Sequence, residues 1–68
     1  MRIRINGRDT DVAPEVALVA ILEGLDVRED TTGVAVAVNE TVVPRREWAS
    51  RRLENGDVVE IIHAVQGG

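Results

Sequence analysis

With no cysteine anywhere and a single histidine, His63, the chain has to fold on aliphatic packing alone. Disulfides and thiolate metal sites are excluded by composition, and so are histidine clusters. Those are the staples on which very small domains otherwise rely. At 68 residues the chain is one domain, of a size that hides only about 60% of the surface its unfolded form exposes. The core is therefore thin. A valine-rich apolar set favours strands, so the economical solution is one sheet packed on one helix. Trp48, the sole aromatic residue, reads first as a lid over that core and second as a binding hot spot.

Periodicity assigns the elements. In "RIRIN", Ile3 and Ile5 share one face of a strand and Arg2 and Arg4 the other. Asn6–Gly7 is a strong hairpin signal, and "RDTDV" returns as a second strand. "PEVALVAILEGL" places Leu18, Ile21, Leu22 and Leu25 at helical spacing, one apolar stripe. Pro14 is tolerable near the helix start, no capping side chain stands just before the stripe, and Gly24 marks the end. "DVREDTTG" reads as a polar loop. "VAVAVN" alternates as a strand, "TVVP" is a short one stopped by Pro44, and "RREWASRRL" holds one short helical turn before a core anchor at Leu53. After the turn "ENGD", "VVEIIHAV" is the last strand.

The order strand, strand, helix, strand, strand, strand puts the helix across one face of a mixed five-stranded sheet. The first and last strands, both needing burial, lie side by side and parallel at its centre. This is an α+β, β-grasp (ubiquitin-like) arrangement. The opposite face has no second helix. If Val59 and Ile61 face the helix, then Val58, Glu60, Ile62 and Ala64 face outward with Ala35 and Ala37, a shallow apolar surface of the kind that marks interaction sites.

The formal net charge of −4, with acids crowded between Asp9 and Asp30, argues against a nucleic-acid partner, which would want positive charge and stacking aromatics. Arg45, Arg46, Arg51 and Arg52 form a local basic patch, read as solvated surface or as one half of a contact with an acidic partner. No apolar run approaches the roughly 20 residues of a membrane span, and "MRIRING" lacks the apolar stretch of a signal peptide; a soluble, cytoplasmic protein, monomeric on its own, is expected. His63 has no nucleophile or carboxylate constellation around it in sequence. There is no calcium loop and no glycine-rich phosphate loop, so no catalytic residue and no metal site is assigned.

That leaves the end of the chain, "AVQGG". Terminal glycines fray, but these follow a strand with Gln66 as the only spacer before Gly67 and Gly68. A tail over residues 65–68 could project roughly 13 Å. Without a Cβ it can thread a narrow channel. Its carboxylate, with a pKa near 3.5, is ionised and a poor electrophile at neutral pH, so it becomes reactive only when another enzyme activates it.

Over nearly its whole length the chain resembles the ThiS family, sulfur carriers of thiazole formation in thiamine biosynthesis. The resemblance rests on the "I-x-I-N-G" opening at Ile3–Gly7, the leucine-rich helix, the "VAVN…VVPR…W" block, the "L-x-N-G-D" turn and the terminal Gly-Gly. It implies an E1-like, ThiF-like adenylyltransferase that uses ATP and magnesium to adenylate Gly68. A cysteine-derived persulfide, as from a cysteine desulfurase, then supplies sulfur to give a C-terminal thiocarboxylate, and a ThiG-like thiazole synthase takes that sulfur. The chain itself would bind no cofactor. Gly67 and Gln66 would form the approach, and Ala35, Ala37, Ile62 and Ala64 the partner-binding face. Two positions depart from the family pattern: Ala17 stands near the place of a capping threonine, and Asn39–Glu40 replaces an Asn-Gly turn. Two alternatives share part of this reading. One is a MoaD-like carrier, or one serving sulfur amino acid or tRNA thiolation pathways; the other is a ubiquitin-like interaction module with an inert tail.

Overall fold

Asn6 and Gly7 both take left-handed backbone angles, with φ of 49° and 81°, the pair that a tight two-residue hairpin requires. They join β1 (Arg2–Ile5) to β2 (Arg8–Asp11) in the computed structural model, which describes residues 1–63. There follow α1 (Leu18–Glu23), β3 (Val34–Val38), β4 (Thr41–Val42), a single 3₁₀ turn at Arg45–Glu47, and β5 (Val58–His63). The sheet order is β2-β1-β5-β3-β4, with β1 and β5 parallel and every other neighbouring pair antiparallel. This is the β-grasp topology expected from the sequence, with β5 as its central strand.

Burial follows the strand alternation. Ile3, Val36, Val38 and Val59 are buried on the helix side with Leu18, Leu22, Val27, Val43, Trp48 and Leu53. Trp48 is fully enclosed, and its indole Nε1–H donates to the Val43 carbonyl at 3.0 Å. It is a packing residue, and the hot-spot alternative is set aside. Leu53 is the core anchor expected of it.

The helix is shorter than its sequence pattern. It begins at Leu18 rather than near Pro14, after Glu15 has taken a φ of 57°. Ala17 at the N-cap offers no side-chain bond, yet the first free amides are occupied. Leu18 N–H donates to the Arg51 carbonyl at 2.8 Å, Val19 N–H to the Trp48 carbonyl at 3.0 Å, and Ala20 N–H to the Ala17 carbonyl at 3.0 Å. Backbone from the segment after the 3₁₀ turn does what a threonine side chain would have done.

At the other end, Gly24 is in ordinary right-handed conformation. The turn is made by Asp26, with φ of 62°. Val27 N–H reaches the Leu22 carbonyl at 2.9 Å and Asp26 N–H the Glu23 carbonyl at 3.1 Å, the paired bonds of a Schellman motif. The reversal turns Val27 into the core and leaves Leu25, the expected fourth member of the stripe, 48% exposed.

The β3–β4 turn carries local strain. Asn39 and Glu40 both have positive φ, 51° and 70°. Asparagine tolerates this region, whereas other L-residues are held there at about 1–2 kcal/mol. Glycine at position 40 would relieve that strain while giving back about 0.4–1 kcal/mol in unfolded-chain entropy. Glu40→Gly is therefore expected to stabilise the domain by about 0.5–1 kcal/mol, read as a rise in melting temperature of about 2–8 °C. A lowered melting temperature would show that the Glu40 side chain does something the backbone angles do not reveal.

Candidate functional site

The strand that leads toward the terminal glycines is the one most heavily secured by side chains. Asn6, at the β1–β2 turn, accepts the Ile61 N–H on its Oδ1 at 2.8 Å, and its own N–H donates to the Val59 carbonyl at 2.9 Å. From the other flank Asn39 accepts the Val58 N–H on Oδ1 at 2.9 Å, and its N–H donates to the Val58 carbonyl at 2.8 Å. Its Nδ2 donates to Asp57 Oδ1 at 3.0 Å, while Asp57 Oδ2 accepts the Glu54 N–H at 2.8 Å. Asn55 Oδ1 accepts the Arg2 N–H at 2.8 Å. These bonds extend the β1–β5 and β3–β5 ladders past the ends of β1 and β3. Asp57, read from sequence as a plain turn residue, is only 8% exposed; both carboxylate oxygens are used, which is the condition for burying such a group.

The open sheet face divides in two. Register places Arg2, Arg4, Asp9 and Asp11 together at the β1–β2 side. Arg2 Nε bonds Asp11 Oδ1 at 3.0 Å and Arg4 Nε bonds Asp9 Oδ1 at 3.1 Å. The Arg2 hydrogen bond, followed by its charge, holds the Asp11 carboxyl below its ordinary range. Both pairs stand in solvent, where such bridges add little stability. On the β5–β3–β4 side, Ala35 lies opposite Ile62 and Ala37 opposite both Glu60 and Val42. Ile62 is 50% and Val42 61% exposed. Ala35 is exposed as expected. Ala37 is on the expected face but only 6% exposed, because a methyl group between two larger cross-strand neighbours is overshadowed by them. Val42, which the sequence reading passed over as part of a short edge strand, supplies the apolar area that Ala37 does not; its alternation with Thr41 was the available signal. Ala64, Gln66, Gly67 and Gly68, and the last part of the expected final strand at Val65, lie outside the described residues.

The arginine patch is not uniform. Arg45 donates from Nη1 to the Glu29 carbonyl at 2.9 Å and from Nη2 to the Val34 carbonyl at 2.7 Å. Its guanidinium lies 5.1 Å from the Trp48 ring centroid, within cation–π range. It fastens the loop before β3 to the core lid and is a structural residue, whereas Arg46 and Arg52 are exposed. His63 ends β5 in an exposed position opposite Val34. Two open depressions of about 410 and 400 Å³ lie beside β1, one rimmed by Arg2, Arg4, Asp9 and Val58, the other by Ile5, Arg8, Thr10 and Leu25. Neither includes His63. Among the described residues no group of His, Cys, Asp and Glu could hold a metal ion, and no helix is long and apolar enough to cross a membrane.

A clamped central strand borders an apolar sheet face and is followed in sequence by Gly-Gly. The ThiS family model matches residues 3–68. The sulfur carrier protein ThiS of Escherichia coli is 32% identical over 68 residues, covering 100% of both chains. The chain belongs to the ThiS family. A thiazole synthase of Paramagnetospirillum magneticum is also 32% identical over 68 residues, but there the match takes up 20% of the larger protein. The crystal structure of a thiamine biosynthesis protein, ThiS, from Geobacter metallireducens superposes with a TM-score of 0.82 at 27% identity, covering 100% of each chain. As a member of this family the chain is a carrier and not an enzyme. The motif residues of the ThiS resemblance thereby gain a physical reading. Asn6, Asn39, Asn55 and Asp57 hold β5 and the turn before it in place through their side-chain hydrogen bonds.

Proposed function

We propose that this ThiS-family chain carries sulfur for thiazole formation in thiamine biosynthesis as a thiocarboxylate on Gly68. The observation that supports this most is the convergence of the family motifs on β5. Side chains from both flanking turns hold that strand as far as Ile61, so the body offers a rigid base for a short glycine tail. The chemistry follows from the carboxylate. It is ionised at neutral pH and resists nucleophilic attack, so a ThiF-like adenylyltransferase first joins a carboxylate oxygen to the α-phosphorus of ATP, releasing pyrophosphate. ATP and its magnesium are held by that partner. The outer sulfur of a cysteine persulfide then attacks the acyl carbon and displaces AMP. A second thiol cleaves the S–S bond of the resulting acyl disulfide, which leaves the thiocarboxylate on Gly68 and a disulfide on the donor, and a ThiG-like thiazole synthase receives the sulfur. Without cysteine or lysine, the chain has no side chain that could carry sulfur as a persulfide or extend a lysine-linked polymer. The apolar side of the sheet, with Ala35, Ile62 and Val42 and with Ala37 beneath them, is the docking face, joined by Ala64 on the reading from sequence parity.

The test is intact mass after incubation with ATP, the cognate activating enzyme and a sulfur source. The expected product is heavier by the exchange of one oxygen for sulfur, and fragmentation places the change on Gly68. A chain recovered unmodified under conditions that load the Escherichia coli carrier would refute the proposal.

A further inference from the structure

The chain contains three asparagines, Asn6, Asn39 and Asn55, and all three are exposed. Each accepts a backbone N–H on its Oδ1: Asn6 from Ile61 at 2.8 Å, Asn39 from Val58 at 2.9 Å and Asn55 from Arg2 at 2.8 Å. Such a donor polarises the side-chain carbonyl and stabilises negative charge developing on its oxygen. The three sites differ in the residue that follows. An asparagine can be attacked at Cγ by the backbone nitrogen of the next residue, provided that nitrogen is unbonded and unhindered. Gly56 N–H is not free, because it donates to the Arg2 carbonyl at 2.8 Å. Asn39 is followed by Glu40, whose side chain crowds the approach. Gly7 lies in the turn between β1 and β2, is exposed, and its N–H has no hydrogen-bond partner among the described residues. Without a Cβ, it also lets the turn open to the angles the attack requires.

From this contrast we infer that Asn6 is the chain's site of spontaneous deamidation, a modification that falls on the side-chain bond to β5 closest to the terminal glycines. The Gly7 nitrogen gives up its proton to hydroxide and bonds to Asn6 Cγ. The Cγ–Nδ2 bond breaks, and ammonia leaves with a proton from water. Water then opens the succinimide ring at either carbonyl, to aspartate or isoaspartate. One water is consumed, one ammonia is released, and nothing is oxidised or reduced. Aspartate at position 6 keeps an oxygen for the Ile61 N–H. Isoaspartate adds one carbon to the main chain of a two-residue turn, so the bonds from residue 6 to Val59 and Ile61 can no longer both be kept. The modification needs no partner and is independent of what Gly68 carries.

The experiment is incubation of the folded chain in warm, mildly alkaline water enriched in heavy oxygen, then brief tryptic digestion in ordinary water and mass spectrometry. Cleavage after arginine puts the three asparagines on separate peptides, residues 5–8, 29–45 and 53–68. The heavy oxygen separates change during incubation from change during digestion. Asn6 is expected to convert at least about tenfold faster than Asn55, since a hydrogen bond that must open first is worth about that factor in the availability of the group it holds. Asn6 should also convert faster than Asn39. In guanidinium chloride, where the Gly56 N–H is released, the rate at Asn55 should approach that at Asn6 while Asn39 stays behind. Equal rates at Asn6 and Asn55 in the folded chain, or conversion of Asn39 ahead of Asn6, would overturn the inference. So would an Asn6 that stays intact in the folded chain over a period in which the unfolded chain reacts. A gap between Asn6 and Asn55 that survives unfolding would overturn it too, because its cause would be the flanking sequence and not the bond to Arg2.

Discussion

Removing Gly68 is expected to lower the rate of adenylation at least about a hundredfold while leaving the melting temperature unchanged. The reactive carboxylate would retreat by about 3.3 Å along the chain, and a misplacement of about 1 Å at a reacting centre can already cost a hundredfold in rate. Shifting the body forward to compensate would break its fit to the enzyme, so the loss falls on the chemistry. Stability should be indifferent, because the buried core runs from Ile3 to Val59 and the side-chain bonds that secure β5 end at Ile61. Pyrophosphate release and a thermal melt on the truncated chain check both halves. Ordinary adenylation after truncation would mean that the enzyme accepts a carboxylate set back by one residue and that reach at the terminus is immaterial.

Trp48→Ala should have the opposite profile, a collapse of the fold that takes every function with it. Truncating a buried tryptophan costs about 3–5 kcal/mol, and a domain of this length holds roughly 3–10 kcal/mol in total. The site has little means to collapse around the gap. The ring belongs to one buried cluster with Leu18 and Leu22, its Nε1–H is bonded to the Val43 carbonyl, and Arg45 lies over its face. The Trp48 carbonyl also closes the helix by accepting the Val19 N–H, so disorder here would propagate into α1. A melting temperature lower by more than about 12 °C is expected, if a cooperative transition survives. Trp48→Phe should fall between, since it keeps a ring but loses the bond to Val43. A loss of only a few degrees for the alanine variant would show that the lid is dispensable.

What could be read from the sequence was whatever repeats with the period of an element or is local to a turn. The alternation in "VAVAV" assigned Val36 and Val38 to the core, and Asn6–Gly7 announced the hairpin. What escaped depends on neighbours distant in the chain. Gly24 marked the helix end, and α1 does stop at Glu23, but the spacing still counted Leu25 as core; the left-handed Asp26 that turns Val27 inward in its place is marked by nothing in the apolar pattern. The missing cap at Ala17 looked like a deficit because the carbonyls of Trp48 and Arg51 that satisfy the helix are more than thirty positions away in the sequence. Arg45 looked like surface charge because its acceptors, at Glu29 in the loop before β3 and at Val34 where that strand begins, are distant in the sequence. For the candidate site, strand parity found the open apolar side of the sheet and Ile62 on it. Parity assigns a side and says nothing of crowding, so it overstated Ala37 and overlooked Val42. The resemblance of the motifs to the ThiS family identified the fold and the carrier. Why those motifs contain asparagines became visible only when the bonds around β5 were traced.

The central position of β5 has a mechanical consequence. A partner that draws the terminus into its own cleft exerts traction along the strand axis, and that load reaches β1 on one side and β3 on the other at the same moment. The ladders are then strained in shear, many bonds sharing the force, whereas an edge strand could be peeled away one bond at a time. A central β5 is thus the strand of this sheet least open to being peeled away under such a load.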